Sequence, residues 1–384
     1  MRVLHVYRTF FPDTQGGLEE VIRQICNGTT ALGAQNTVFT TTKDPNAERH
    51  LEISGTTVVR VPETFEIASC NVALRSRAEF SKQVEETDII HYHFPWPFAD
   101  VLDRLTKPNK PSLVTYHSDI VRQKLLLRLY TPLMKRFLEA QDRIVCTSPN
   151  YFATSSTLSP LESKVDIIPI GLDRSIYPQI TPELLNKMKA EYGSQFFLFV
   201  GVLRYYKGLH ILLEAIKNAP YKVVIVGSGP TEKQLKEQAE SLQLTNVVFA
   251  GHVSDEEKVA LFELSRGIVF PSYLRSEAFG VTLLEGAMHS KPLISTEVGS
   301  GTSHVNVHEK TGLVVAPGSP SALRRAMDQL YDRPDMAKLM GQRARERFDM
   351  LFTGQLMARR YFELYQSLLG KTESSKEERP AKSA

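Results

Sequence analysis

Glu277 and Glu285 stand eight positions apart in the stretch SEAFGVTLLEG. Between them Phe279, Gly280, Val281 and Thr282 read as a turn leading into a helix. As a glycosidase pair, the two carboxylates would flank a scissile bond about 5–9.5 Å apart. As hydrogen-bond acceptors, they would hold sugar hydroxyls while the helix start behind Gly280, with the amides of Val281 and Thr282, seats an anion. Taken alone, two glutamates at this spacing also fit a solvated helix face. Upstream, GVLRYYKG sets Arg204 and Lys207 three positions apart, ahead of Gly208 and a helix-period run. A planar guanidinium fork beside an ammonium point charge suits a diphosphate, although most cations simply meet solvent. Near the start, RTFFPDTQGG places Gly16 and Gly17 at the opening of the first helix. Such a pair lets a ligand approach the backbone amides, or makes a plain turn; there is no GxGxxG fingerprint of a dinucleotide site. Phosphate seats flanked by carboxylates, taken together, point to a nucleotide-sugar.

These residues need elements to position them. Short β-branched runs occur at 2–7, 36–41, 56–61, 88–94, 112–117, 143–148 and 165–170, and again at 196–201, 221–227, 246–251, 267–272, 292–297 and 312–317. Helical patterns lie between many of them. Near-continuous apolar strands alternating with helices predict parallel sheets covered on both faces. Two such blocks predict an α/β protein with two doubly wound domains facing across a cleft, with ligands at the carboxyl ends of the strands. The expected division is 1–172, 173–352, a helix at 353–370 returning to the first domain, and a disordered tail at 371–384. The 384 residues suffice for two cores, and a net charge of +3 gives no case for nucleic acid. Cys26, Cys70 and Cys146 lack CxxC spacing, which suits reduced thiols in a cytoplasmic protein. No apolar run approaches the roughly 18 residues of a membrane span, and the first residues read as a strand, not a signal peptide.

The combination resembles the retaining GT-B glycosyltransferases of glycosyltransferase family four, over most of the chain to about residue 350. Their Glu-x7-Glu hallmark is similar to Glu277 through Glu285, their cationic clamp to Arg204, Lys207 and Gly208, and their Gly-Gly loop to Gly16 and Gly17. VTYHS supplies, as His117, the histidine these enzymes set against the donor sugar. The resemblance implies that Glu277 contacts donor-sugar hydroxyls and Glu285 the ribose. Arg204 and Lys207 would neutralise the diphosphate leaving group, aided by amides around Gly16, Gly17 and Phe279–Thr282, with neither metal nor cofactor and no protein nucleophile. GSGTSHVNVHEKTGL departs from the common pattern: Ser300 replaces a glycine, and Ser303 and His304 stand near the usual glutamate. Its nearest echo is among bacterial mannosyl- and rhamnosyltransferases that use GDP-linked donors to build surface polysaccharide, the O-antigen of lipopolysaccharide.

The expected reaction is therefore hexose transfer from a GDP-sugar to a polyprenyl-diphosphate-linked saccharide. A UDP-sugar enzyme, a hydrolase or epimerase, and a non-catalytic glycan-binding protein are the alternatives. On the acceptor side, His91 and His93 alternate onto one face, as metal ligands or as pocket wall, and Trp96 could stack on a sugar or pack. Residues 121–143 interleave Arg122, Lys124, Arg128, Lys135, Arg136 and Arg143 with leucines. Such a stretch suits the anionic cytoplasmic face of a membrane, or a helix packed on its own domain with a charged outer side.

Overall fold

The computed structural model describes residues 1–67, 70–120 and 124–370. In the first domain the strands are β1 (Arg2–Val6), β2 (Gln35–Thr42), β3 (His50–Ile53), β4 (Thr56–Pro62), β5 (Phe65–Ile67), β6 (Cys70–Val72), β7 (Ile89–Phe94), β8 (Ser112–Tyr116), β9 (Arg143–Cys146) and β10 (Val165–Ile167). Eight of them form one sheet in the order β10-β9-β8-β7-β1-β2-β4-β3. It is parallel throughout except for β3, which runs antiparallel to β4. β7 and β8 are buried along their whole length, as strands covered on both faces must be. The edge strand β3 and the β5–β6 ribbon were not anticipated. HLEI and FEI are short and partly polar, so they lack the apolar run that marks a central strand.

The second domain holds β11 (Phe197–Val200), β12 (Val223–Val226), β13 (Val247–Gly251), β14 (Gly267–Phe270), β15 (Leu293–Thr296) and β16 (Gly312–Val315). They form a parallel sheet in the order β13-β12-β11-β14-β15-β16. Counting within the domain this is 3-2-1-4-5-6, the doubly wound order, and the strand sequence reverses between β11 and β14. In the first sheet the corresponding reversal lies between β1 and β7. Both domains are thus Rossmann-like, and together they make the GT-B architecture.

The chain crosses between the sheets twice, and the crossings lie side by side. The Leu172 amide donates to the Phe352 carbonyl and the Gly354 amide to the Leu172 carbonyl, each at 2.9 Å. A side chain at Gly171 would put its Cβ 2.2 Å from the Thr353 carbonyl oxygen, so only glycine allows this approach. Thr353 then caps the helix Gly354–Leu368, its hydroxyl accepting from the Leu356 amide. That helix lies against Gly17–Ala31 of the first domain, closely enough that a Cβ on Gly28 would stand 2.4 Å from that of Ala358. Its Tyr361 and Tyr365 hydroxyls reach Thr115 and His91 inside the first sheet.

Among the described residues no helix is long and apolar enough to cross a membrane. Cys26 and Cys146 are buried free thiols, and Cys70 is half-buried. Residues 371–384, expected to be a disordered tail, lie outside the described residues.

Candidate active site

The residues singled out for phosphate or sugar chemistry lie beyond the carboxyl ends of strands: those after β1, β11 and β14 flank the two reversal points, and His117 follows β8, one strand away. After β11 the chain makes a short turn at Tyr205–Lys207, and Gly208 takes a left-handed conformation (φ 71°) to open the helix Leu209–Ala215. A Cβ on Gly208 would lie 2.1 Å from the Pro271 carbonyl oxygen, so the loops after β11 and β14 pack backbone to backbone. This close packing delivers Lys207 to Glu277: Nζ and Oε2 are 2.5 Å apart, with the two side chains 13% and 10% exposed. The Ser272 hydroxyl donates to the same carboxylate oxygen at 3.2 Å, and Lys207 lies over the Phe270 ring at 4.6 Å. Arg204, by contrast, is exposed. Its charge reaches the first domain, where it counters in part the rise that burial imposes on the Tyr7 phenol at the end of β1.

Gly280, also left-handed (φ 87°), caps the helix Val281–Met288. The Thr282 hydroxyl donates to the Val200 carbonyl at 3.0 Å, tying this helix start to β11. Phe279 is buried with its ring 6.2 Å from that of Phe352, so only its main chain is available to a ligand. Glu285, just over one turn into the helix, is buried. It accepts from Lys258 at 3.1 Å and from the Tyr177 hydroxyl at 3.2 Å. Burial works against the Lys258 charge, but Glu285 and Asp255 outweigh it and its pKa is raised. An ammonium and a phenol therefore hold Glu285 in place, whereas Glu277 is held by an ammonium and a hydroxyl.

Opposite, Gly16 precedes the helix Gly17–Ala31 in extended conformation. An added Cβ there would lie 2.5 Å from Glu19 Oε2, a contact that a shift of the glutamate side chain would relieve. The Glu19 carboxylate accepts from Thr9 at 2.8 Å and Thr14 at 3.1 Å, which draws it over this helix start. Nothing lies within 4 Å of a Cβ added to Gly17.

His117 stands just past β8, two residues beyond Thr115. The alternation of strand side chains puts His91 and His93 on one face, and register sets His5 beside His91 and Thr115 beside His93. The result is a buried file: His117 Nε2 to His93 Nδ1 at 3.0 Å, His93 Nε2 to His5 Nδ1 at 3.1 Å, and His5 Nε2 to Asn36 Oδ1 at 3.1 Å. His91 lies against His93 at 4.2 Å between ring centroids and bonds Tyr365 and Thr115. His5, His91 and His93 could offer a metal three nitrogens within 4.8 Å of one another. Every ring nitrogen of the three already has a hydrogen-bond partner, so the cluster reads as wall, not ligand set. Burial keeps all four imidazoles neutral, with His117 drawn down to about 3 and His5 to about 4.

Two acceptor-side expectations need correction. Trp96 is 1% exposed, and its indole N–H donates to the Asn71 carbonyl at 2.9 Å, so it packs and offers no stacking face. Indole carries much apolar area and one donor, and the first-domain core satisfies both. His93 is also sealed and reaches the cleft only through His117.

Sequence reasoning missed the contacts that hold the two domains together beside the site. Arg275, two residues before Glu277, donates to Asp119 at 2.8 Å and to the Tyr151 carbonyl at 3.0 Å, and lies over the Tyr151 ring at 4.1 Å. It also bonds Thr154, whose hydroxyl donates to the Gly299 carbonyl at 2.6 Å. Asn150 reaches Ser303 at 3.1 Å, placing the unusual segment after β15 at the domain interface. His304 is half-buried there against Phe352, and burial with Arg347 and Arg360 nearby draws it to about 4. The single cue in sequence was the arginine immediately before the Ser-Glu of the carboxylate motif.

Residues 181–347 match the family described as glycosyl transferases group 1, and residues 15–175 match Glycosyltransferase Family 4. The chain is 50% identical over 353 residues to D-rhamnosyltransferase WbpZ of Pseudomonas aeruginosa, covering 92% of each protein. It is 45% identical over 369 residues to O-antigen chain mannosyltransferase C of Escherichia coli, covering 96% of this chain and 99% of that one. In structure it is similar to a sucrose-phosphate synthase from Thermosynechococcus elongatus, with a TM-score of 0.80 over 97% of this chain and 100% of the other; at 21% identity this is a likeness of fold. The chain belongs to glycosyltransferase family 4 and is a glycosyltransferase of GT-B fold.

Proposed function

We propose that this enzyme is a retaining hexosyltransferase of O-antigen assembly, moving mannose or rhamnose from a GDP-sugar to a polyprenyl-diphosphate-linked saccharide. The observation that carries this reading is the Lys207–Glu277 pair, half-sealed where the loops after β11 and β14 meet. The named activities of the two relatives supply the sugar and the pathway. In this reading the donor diphosphate lies between Arg204 and Lys207, and its arrival shares Lys207 between phosphate and Glu277. Amides at Gly280, Val281 and Thr282, and across the cleft at Gly16 and Gly17, complete the anion seat. Glu277 accepts from donor-sugar hydroxyls and Glu285 from the ribose. Charge that develops on the leaving GDP meets cations already in place, with no reorganisation at the moment of reaction, which is usually the largest catalytic term. The fixed cations do what a metal would otherwise do.

We place the acceptor on the first domain and the membrane along the helix Lys124–Ala140. Arg128, Lys135 and Arg136 are exposed there, and Leu129 is 81% exposed. Arg122 lies outside the described residues, and Arg143 is paired with Asp166 at 2.7 Å, so neither supports this reading. Near an anionic surface each basic residue contributes about 1 kcal/mol. Two experiments test the proposal. NMR of the product should show the anomeric configuration of the donor preserved, and an inverted product would refute retention. Calorimetry should show GDP binding more tightly than UDP, and the reverse order would refute the donor.

A further inference from the structure

The file His117–His93–His5–Asn36 has a direction, and one residue far from the cleft sets it. The Asn36 amide nitrogen faces the Cys26 carbonyl at 3.0 Å as well as the hydroxyls of Thr29 and Thr30. A carbonyl only accepts, so that side of Asn36 must be the NH2, and the oxygen must face His5. The oxygen in turn requires a proton on His5 Nε2. A neutral His5 then has a lone pair at Nδ1, which requires a proton on His93 Nε2. Neutral His93 likewise accepts at Nδ1, which requires a proton on His117 Nε2. What remains at the open end is His117 Nδ1, unprotonated. It has no hydrogen-bond partner among the described residues and is not one of the sealed unpaired atoms, so it meets solvent.

We propose that Asn36, acting through His5 and His93, fixes the Nε2–H tautomer of His117 and so presents a hydrogen-bond acceptor to a substrate hydroxyl. Asn36, His5 and His93 are positioning residues for that contact. Reversed, the file would present an N–H, which suits a carbonyl or phosphate oxygen and leaves a sugar hydroxyl with a different partner geometry. The file orients without conducting, because its far end is an amide that cannot take up a proton. His91, stacked on His93 and bonded at both nitrogens to Thr115 and Tyr365, closes the side of the file and leaves His93 no alternative partner. This inference rests on the glycosyl-transfer reading only for the nature of the hydroxyl; the tautomer can be measured without any turnover.

The test is long-range 1H–15N correlation spectroscopy of the full chain labelled at histidine, with His117→Gln used for assignment. The expected wild-type spectrum shows His117 protonated at Nε2 and bare at Nδ1. An Nδ1–H or averaged His117 would overturn the proposal outright. In Asn36→Leu, His117 should become a mixture of tautomers, and kcat/KM should fall roughly tenfold, one neutral hydrogen bond's worth. An unchanged tautomer in this variant would show that Asn36 does not set it. His5→Phe, which cuts the file one step nearer the cleft, gives the same readout if Asn36→Leu does not fold. A wild-type spectrum as expected in a protein without transferase activity would fault the functional reading while leaving the file intact.

Discussion

Lowering the pH should destabilise the first domain, and the histidine file sets the size of the effect. A free imidazole titrates near about 6.5. Burial draws His5 to about 4 and His117 to about 3, and holds His91 and His93 well below the ordinary value. Below pH about 6.5 the unfolded chain therefore takes up protons that the folded chain refuses, so this stability is present above that pH and is lost as pH falls. Between pH 7 and 5.5 each such histidine costs about 1.2 kcal/mol, or about 5 kcal/mol for the four. Asp100 and Asp103 act in the opposite sense. Burial raises both carboxyls, Asp100 well above its ordinary range, so the folded state keeps protons that the unfolded state has released, and Asp100 returns at most about 2 kcal/mol over the same range. The net loss is then about 3–5 kcal/mol, a large fraction of a typical total of about 5–15 kcal/mol. Trp96, the sole tryptophan, is sealed in the same domain and reports its unfolding directly. Urea titrations followed by its fluorescence at the two pH values measure the difference. Asp100→Asn, which keeps a partner for Tyr130 and removes one opposing proton, should enlarge the loss by up to about 2 kcal/mol. An Asp100→Asn protein equally stable at pH 7 and 5.5 would refute the reasoning.

Gly208→Ala should lower stability by about 2–4 kcal/mol in thermal or urea unfolding, because it adds left-handed strain to a Cβ 2.1 Å from the Pro271 carbonyl oxygen. Trp96→Phe should cost about 1–3 kcal/mol through the lost bond to Asn71 while leaving the acceptor KM unchanged; a raised KM would return Trp96 to the acceptor site. Arg275→Met removes the contacts to Asp119, Tyr151 and Thr154, so small-angle scattering should show a larger radius of gyration and kcat/KM should fall roughly tenfold. An unchanged scattering profile would show that Arg275 does not hold the domains together. Changing Arg128, Lys135 and Arg136 to glutamine should weaken binding to anionic vesicles, and unchanged binding would remove the membrane reading of that helix.

The architecture was legible because parallel strands covered on both faces must be apolar along their length. FLFV, VVIV and GIVF announce themselves in a way that the half-exposed HLEI and FEI do not. The position of the residues proposed for the donor, in loops at strand ends, was legible because a strand, a turn glycine and a charged residue occur together in sequence, as in RYYKG and SEAFG. Contacts that depend on two distant segments were not. Nothing near Arg275 names Asp119 or Tyr151, and nothing near Glu285 names Tyr177 or Lys258. Trp96 misled for a related reason: a proline-flanked loop in sequence became a buried corner once Asn71 came to cover the indole N–H. The HYH alternation did show that two histidines share a face, but the partners that decide their role come from β1, β2 and β8.

The most direct test of the account is nucleotide release from GDP-mannose, GDP-rhamnose, UDP-glucose and UDP-N-acetylglucosamine. Each donor is offered with and without a polyprenyl-diphosphate-linked saccharide, to the wild type and to Glu277→Ala. The account predicts release from one GDP-sugar only, dependent on the acceptor and lower by about a hundredfold or more in the variant. Release without acceptor, or release that survives the loss of Glu277, would contradict it.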